Sequence, residues 1–314
     1  MTIASPGSLG PTRQVAEFAA DLDYRHLPAD VQAALHACLL DYLRVASVGE
    51  RMGWSDWART YAQHTAGPGN APVLFASAPT DPVSAAFMNT VYAGSLDADD
   101  VHVGAMLHPG CIVFSAALAI GQAHHLPGGR VLAAAAAGYE AMIPIALAIQ
   151  PRHFKGGFQS TSTCGVFGAA VAASALLSKG ADRVTRIAES IGIGASFCGG
   201  LTQFYHSGST VKRIHAAQAA SSGVRAAMLV DSGFSGPVDI LEGQDGFARA
   251  YADANDFTHI GNGLGRDFRL LEVAIKPHAC SARVQSAIEA ASTVCRNHRI
   301  STDRVRRVQL GIPK

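Results

Sequence analysis

The chain of 314 residues carries almost no excess charge: 25 lysines and arginines stand against 24 aspartates and glutamates, a formal net charge of +1. A surface without a strong field of either sign does not gather nucleic acid or an anionic membrane, so a small partner bound locally is expected. The six cysteines, Cys38, Cys111, Cys164, Cys198, Cys280 and Cys295, form no C-x-x-C pair and no zinc-site spacing. They read as reduced, buried thiols of a cytoplasmic protein. Met1 to Gly7 have neither a basic n-region nor an apolar h-region, so no export signal is expected. The one stretch that could suggest a membrane span, Val131 to Gln150, contains Glu140 and Pro144 and is mainly alanine, as suits a buried core helix. Nucleotide loops are missing as well. Gly192-Ile193-Gly194-Ala195-Ser196-Phe197 starts like G-x-G-x-x-G but lacks the last glycine and follows a helical segment, and there is no Walker loop or G-x-S-x-G elbow.

What the chain does have is alanine and a 48% apolar content, enough for a large core and more readily two domains than one. To about residue 255 the pattern predicts packed helices. One follows Pro11-Thr12 and another opens at Pro28-Ala29-Asp30, where proline in the first turn and aspartate near the N-terminus suit the helix dipole. A Gly/Pro/Asn loop at Gly67 to Pro72 separates this hairpin from further helices at Val83 to Ser95, Cys111 to His124, Arg130 to Ile149, Gly165 to Leu177, Arg183 to Ser196 and Val211 to Val230. Gly261-Asn262-Gly263-Leu264-Gly265 follows no strand and reads as a hinge. Beyond it the pattern changes: Leu270 to Lys276 and Val305 to Ile312 read as strands and Ser281 to Asn297 as a helix. The fold class expected is mainly α, a large all-helical domain over 1–267 followed at 268–314 by the start of a smaller α/β lid domain. Two strands and one helix do not make a stable sheet domain, so that second unit looks incomplete.

The densest chemistry lies in Ser95-Leu96-Asp97-Ala98-Asp99-Asp100-Val101-His102 and Leu107-His108-Pro109-Gly110. Three carboxylates and two imidazoles in twelve residues can supply a base, its orienter and a proton donor, because neighbouring charges separate their pKa values. The competing reading is a polar loop whose aspartates cap helices. A calcium loop fails, since Val101, His102 and His108 stand where an oxygen ligand, glycine and glutamate are needed. A transition-metal site of Asp97, His102 and His108 stays open, without supporting spacing. The run Phe154 to Gly165, with Gln159, Ser160, Thr161, Ser162 and Thr163, enters a helix and can seat an anion on backbone N–H groups and hydroxyls, or merely cap it. Lys212 and His215 share a helical face, and Lys276-Pro277-His278 ends a predicted strand. Either pair could hold a carboxylate and pass a proton, and either could be solvated.

Taken in order, these stretches resemble the MmgE/PrpD family, which includes 2-methylcitrate dehydratases and cis-aconitate decarboxylases. The resemblance rests on Leu96 to His102 with His108-Pro109-Gly110, Ala137 to Glu140, Thr163 to Ala170, Lys212 to His215, Gly233 to Pro237 with Ile240 to Gly243 and Gly246-Phe247, and Lys276-Pro277. It implies a helical domain with an α/β lid, a homodimer, and lyase chemistry on a small polycarboxylate without metal or organic cofactor. Asp97, His108, Lys212 and Lys276, with His102 beside them, match positions lining the family's site. Gln159, Ser160, Thr161, Thr163, His215 and His278 are the candidate substrate contacts. Family members are longer than this chain, which would account for an unfinished lid. Two positions depart from the family pattern: Gln159 and Gln285 stand where it commonly has histidine, and glutamine cannot move a proton near pH 7.

Overall fold

The computed structural model describes residues 9–254, 256–261 and 263–311. Met1 to Gly7, Asn262 of the expected hinge, Ile312 of the second expected strand and the end at Lys314 therefore fall wholly or partly outside the described residues.

The chain is mainly α. Its helices are α1 Pro11–Asp21, α2 Ala29–Gly49, α3 Gly53–Thr65, α4 Pro82–Ala93, α5 Gly110–Ala123, α6 Gly128–Ile149, α7 Arg152–Lys155, α8 Ser160–Thr163, α9 Gly165–Leu177, α10 Arg183–Ala195, α11 Phe204–Ser207, α12 Lys212–Asp231, α13 Phe247–Ala252, α14 Thr258–Gly261 and α15 Gln285–His298. Local chemistry accounts for many boundaries. Asp81 caps α4, its carboxylate accepting the N–H groups of Val83 and Ser84 at 3.0 Å each, and Pro82 opens the first turn. Helix α3, absent from the sequence expectation, buries only Ser55 and Ala58 and so carries little apolar periodicity.

Helix α9 is the centre of the body. Every residue from Gly165 to Leu176 is buried, and α5, α6, α10 and α12 surround it. A helix covered on all sides needs no amphipathic stripe, which is why alanine dominates here. Small residues also bring backbones close: a Cβ on Gly138 of α6 would stand 2.8 Å from the Gly168 carbonyl oxygen of α9. Gly138→Ala would overpack this crossing at a cost of about 1–3 kcal/mol. Two stretches, Gly128–Ile149 and Ser160–Leu177, are long and apolar enough to cross a membrane, but 83% and 94% of their apolar windows are buried inside the protein. The first fits the expected core helix; the second joins the hydroxyl-rich turn to the expected helix Gly165–Leu177.

The C-terminal segment departs from expectation. Arg269–Glu272 is a 3-10 turn rather than a strand, because the buried Glu140 carboxylate gathers the N–H groups of Arg269 and Leu270 at 3.0 and 2.9 Å. Ladder pairing is confined to Ala274, which exchanges two 2.9 Å bonds with Val101. Residues 305–311 form no strand: their alternation leaves Val308 and Leu310 69% and 57% exposed, with no neighbouring strand among the described residues. The predicted helix begins at Gln285 instead of Ser281, after a 3-10 turn at Ala282–Val284.

Candidate active site

The loop between α4 and α5 is held from below. Asp100 is buried and accepts hydrogen bonds from the Gly110 N–H at 2.8 Å and the Tyr139 hydroxyl at 2.7 Å. Burial pushes its carboxyl up to about 7, against the pull of Tyr139 and with help from Asp99. The backbone oxygen of Asp100 receives His108 Nδ1 at 2.9 Å. A carbonyl only accepts, so Nδ1 carries the hydrogen and the other nitrogen, Nε2, is left to react. Asp97 sits in the left-handed region at φ 55°, a costly conformation for a non-glycine residue that singles out this turn.

Around Asp97 the fold assembles groups far apart in sequence. Lys212 Nζ, from the first turn of α12, lies 2.7 Å from Asp97 Oδ2. Lys276 Nζ lies 3.1 Å from Asp97 Oδ1, 2.5 Å from its backbone oxygen and 3.6 Å from Asp99 Oδ1. His108 Nε2 stands 3.8 Å from Asp97 Oδ1, and its Nδ1 3.6 Å from Asp99 Oδ2. Burial alone would raise the Asp97 carboxyl, but Lys276, then Lys212 and His108, outweigh it and hold it well below the usual range. Asp97 is therefore an anion that orients cations, not a base that titrates near neutrality. Lys276, with a side chain only 2% exposed, has both Asp97 and Asp99 as partners in that setting.

Asp97, His108 and Lys212 open onto a cleft of about 300 Å³. Gln159, Ser160, Phe154, Tyr205 and Arg283 complete much of its lining. Gln159 turns its Oε1 back to cap α8, accepting the Ser162 N–H at 2.7 Å and leaving its amide N–H₂ as a donor. The anion seat expected at this helix start is thus occupied by the chain's own carbonyl. Ser160 accepts from Gln150 Nε2 at 2.6 Å and has His153 Nδ1 at 3.5 Å as a second, longer partner. Thr161 Oγ1 accepts the His108 N–H at 3.1 Å and ties the two loops together.

Six expected site residues are not in the cleft lining: Lys276 and Thr161, which bond to the lining residues Asp97 and His108, and four that are turned to other partners. His102 accepts the Ala105 N–H on Nδ1 at 3.0 Å and presents Nε2 to Glu272 at 3.0 Å, clasping the segment that leads to Lys276. Thr163 bonds His153, a neutral histidine whose burial lowers its pKa to about 4. His215 is buried edge-on against Phe204, and His278 pairs with Glu289 at 2.8 Å. Conversely, Glu272 and Arg283 carry no motif that singles them out in the sequence, and Tyr139 stands there only within the stretch Ala137 to Glu140, with no role attached.

Asp97, Asp99 and His108 place ligand-type atoms within 4.8 Å of one another. A divalent cation among them would stand beside the Lys212 and Lys276 ammoniums, which already neutralise both carboxylates. The donor set fits an internal ion-pair network better than a metal.

The MmgE/PrpD N-terminal domain matches residues 13–260, the stretch that carries Asp97, His108, Lys212 and the helical body around α9. The chain belongs to the MmgE/PrpD family. Two cis-aconitate decarboxylases from Aspergillus terreus are each 27% identical to it, over 90% and 92% of this chain and 59% and 61% of their own. A cis-aconitate decarboxylase-like protein, oryM, of Aspergillus oryzae is 25% identical over 95% of this chain and 64% of its own. This MmgE/PrpD chain thus spans about three fifths of the length of the curated relatives it matches.

Proposed function

We propose that this MmgE/PrpD chain belongs to a lyase that acts on a small polycarboxylate by acid–base chemistry, without metal or organic cofactor, and that cis-aconitate is the first substrate to test. The observation that carries the reading is the half-buried Asp97 carboxylate held between two ammoniums with His108 Nε2 beside it at the end of a small cleft. The relatives' own activity, cis-aconitate decarboxylation by name, supports decarboxylation as the reaction.

In that reaction the bond between a carbon and its carboxylate breaks heterolytically. Carbon dioxide leaves, and the electron pair stays on a carbon conjugated with a remaining acid group until a proton arrives. Lys212 would stabilise the growing negative charge, and His108, its Nδ1–H anchored on the Asp100 carbonyl, would deliver the proton from Nε2. Asp97 would hold both lysines in place beside His108. Dehydration of 2-methylcitrate, the other activity the resemblance implies, needs a base for the C–H bond and an acid for the departing hydroxyl. With Gln159 where the family commonly has histidine, a one-donor decarboxylation is the better match. The reading also carries a cytoplasmic homodimer, with the segment from residue 268 beginning a lid domain.

The test is turnover by the full-length protein of cis-aconitate, 2-methylcitrate, citrate and amino-dicarboxylates, with released carbon dioxide measured directly. Carbon dioxide from cis-aconitate supports the proposal; water loss from 2-methylcitrate would assign the dehydratase. No turnover and no thermal stabilisation by any acid would leave a non-catalytic homologue. A stoichiometric metal required for activity would overturn the cofactor-free chemistry.

A further inference from the structure

The charges at the cleft do not add up to an anion site if only the lysines are counted. Lys212 and Lys276 both touch Asp97, and Lys276 also lies 3.6 Å from Asp99. Two ammoniums against two carboxylates leave no net positive charge to attract an acid. Among the described residues lining the cleft, the remaining permanent cation is Arg283. No ion pair joins its guanidinium to a carboxylate among the described residues, and its Cζ lies 5.6 Å from the ring centroid of Phe154, another lining residue.

We propose that Arg283 anchors a substrate carboxylate remote from the reacting carbon, so that the cleft selects acids with at least two carboxylates. This deepens the lyase reading and rests on it for the identity of the reacting end. The guanidinium lies within cation–π range of Phe154, and its planar fork of N–H groups matches the two oxygens of a carboxylate. Its backbone is set by a 3-10 turn, Ala282–Val284, whose start is capped by the Ser281 hydroxyl accepting the Arg283 N–H at 3.4 Å. Ser160 and the Gln159 amide line the same cleft with neutral polar groups. A volume of about 300 Å³ is at the small end for ligand sites and suits a short-chain acid. An exposed arginine is ordinarily just solvated. What distinguishes this one is its place on the cleft wall, where it supplies the positive charge that the lysines have given to Asp97 and Asp99.

Because Arg283 lies C-terminal to Lys276 and Lys212 opens α12, an acid held at both ends would also tie the C-terminal segment to the helical body.

Calorimetric binding of propane-1,2,3-tricarboxylate to the full-length protein tests the anchor separately from the chemistry, since this acid has neither a double bond nor a hydroxyl group to react. Arg283→Gln is expected to weaken binding at least about tenfold. Arg283→Lys should recover part of the loss, with both variants melting like wild type because the side chain is exposed. In turnover, Arg283→Gln should raise KM and leave kcat within about threefold. Binding by Arg283→Gln within about twofold of wild type, or no binding by wild type at about 10 mM, would overturn the anchor. If the acid binds through Arg283 and nothing turns over, the anchor stands and the lyase reading falls. If turnover proceeds with KM unchanged in Arg283→Gln, the reverse holds.

Discussion

Loop 95–108 and the turn 159–163 are alike as sequence, both polar, both joining apolar helices, yet the fold uses them differently. Side chains of the loop find partners more than a hundred residues away: Asp97 meets Lys212 and Lys276, and His102 meets Glu272. Side chains of the turn mostly close on nearby residues, Gln159 on Ser162, Ser160 on Gln150 and Thr163 on His153. Local bonds of this kind are explained by capping and by the need to satisfy buried polar groups. Long-range ion pairs partly withdrawn from solvent are not, because desolvation offsets some of their attraction, and their assembly around one loop points to chemistry.

The largest effect expected from this contrast is on the loop side. Lys212→Ala should lower turnover by about a thousandfold, the scale of removing a charge-stabilising group, with little change in melting because Asp97 keeps Lys276. A rate near wild type would erase the distinction between the two regions.

The second effect is a pH dependence seated beneath the loop. Burial pushes both Asp100 and Glu140 up to about 7. Between roughly pH 4 and pH 7 the folded state therefore holds more protons than the unfolded chain. Their contribution is fully present at the acid end of that window and is lost as pH rises through 7. The melting temperature should rise on acidifying from about pH 8 to pH 5, and Glu140→Gln should flatten the slope. Asp97 acts in the opposite sense, its contribution being lost only as pH falls below the ordinary carboxylate range.

A smaller effect is expected at His102. His102→Ala removes the bond to Glu272 and loosens the segment carrying Lys276, so turnover should fall about tenfold, and adding Glu272→Ala should cost little more. Additive losses would mean that the pair does not act as one unit. Smallest of all is Thr163→Val, on the turn side: about 1 kcal/mol of stability and less than about a threefold change in rate. A large loss of rate there would return the turn to the reacting site.

Much of the helical body was legible in the sequence, because proline, aspartate and glycine mark helix ends and alanine-rich runs mark buried helices. Helix α9 appears at Gly165–Leu177, where the pattern placed it. The segment after residue 268 was not legible: alternation marks a face but cannot supply a neighbouring strand, and Leu270 instead gives its N–H to Glu140. At the site, residue types and family order brought out Asp97, His108, Lys212 and Lys276. Which way each side chain turns was hidden, since His102 and His108 differ only in the partners that three-dimensional packing brings to their nitrogens.

The account turns on His108 Nε2 as the proton-transferring atom beside Asp97. Its most direct test is steady-state turnover of cis-aconitate by full-length His108→Gln, with binding of propane-1,2,3-tricarboxylate measured in parallel. Loss of kcat by at least about a hundredfold, with the binding constant within about threefold of wild type, is the predicted result. A kcat within about threefold of wild type would contradict it.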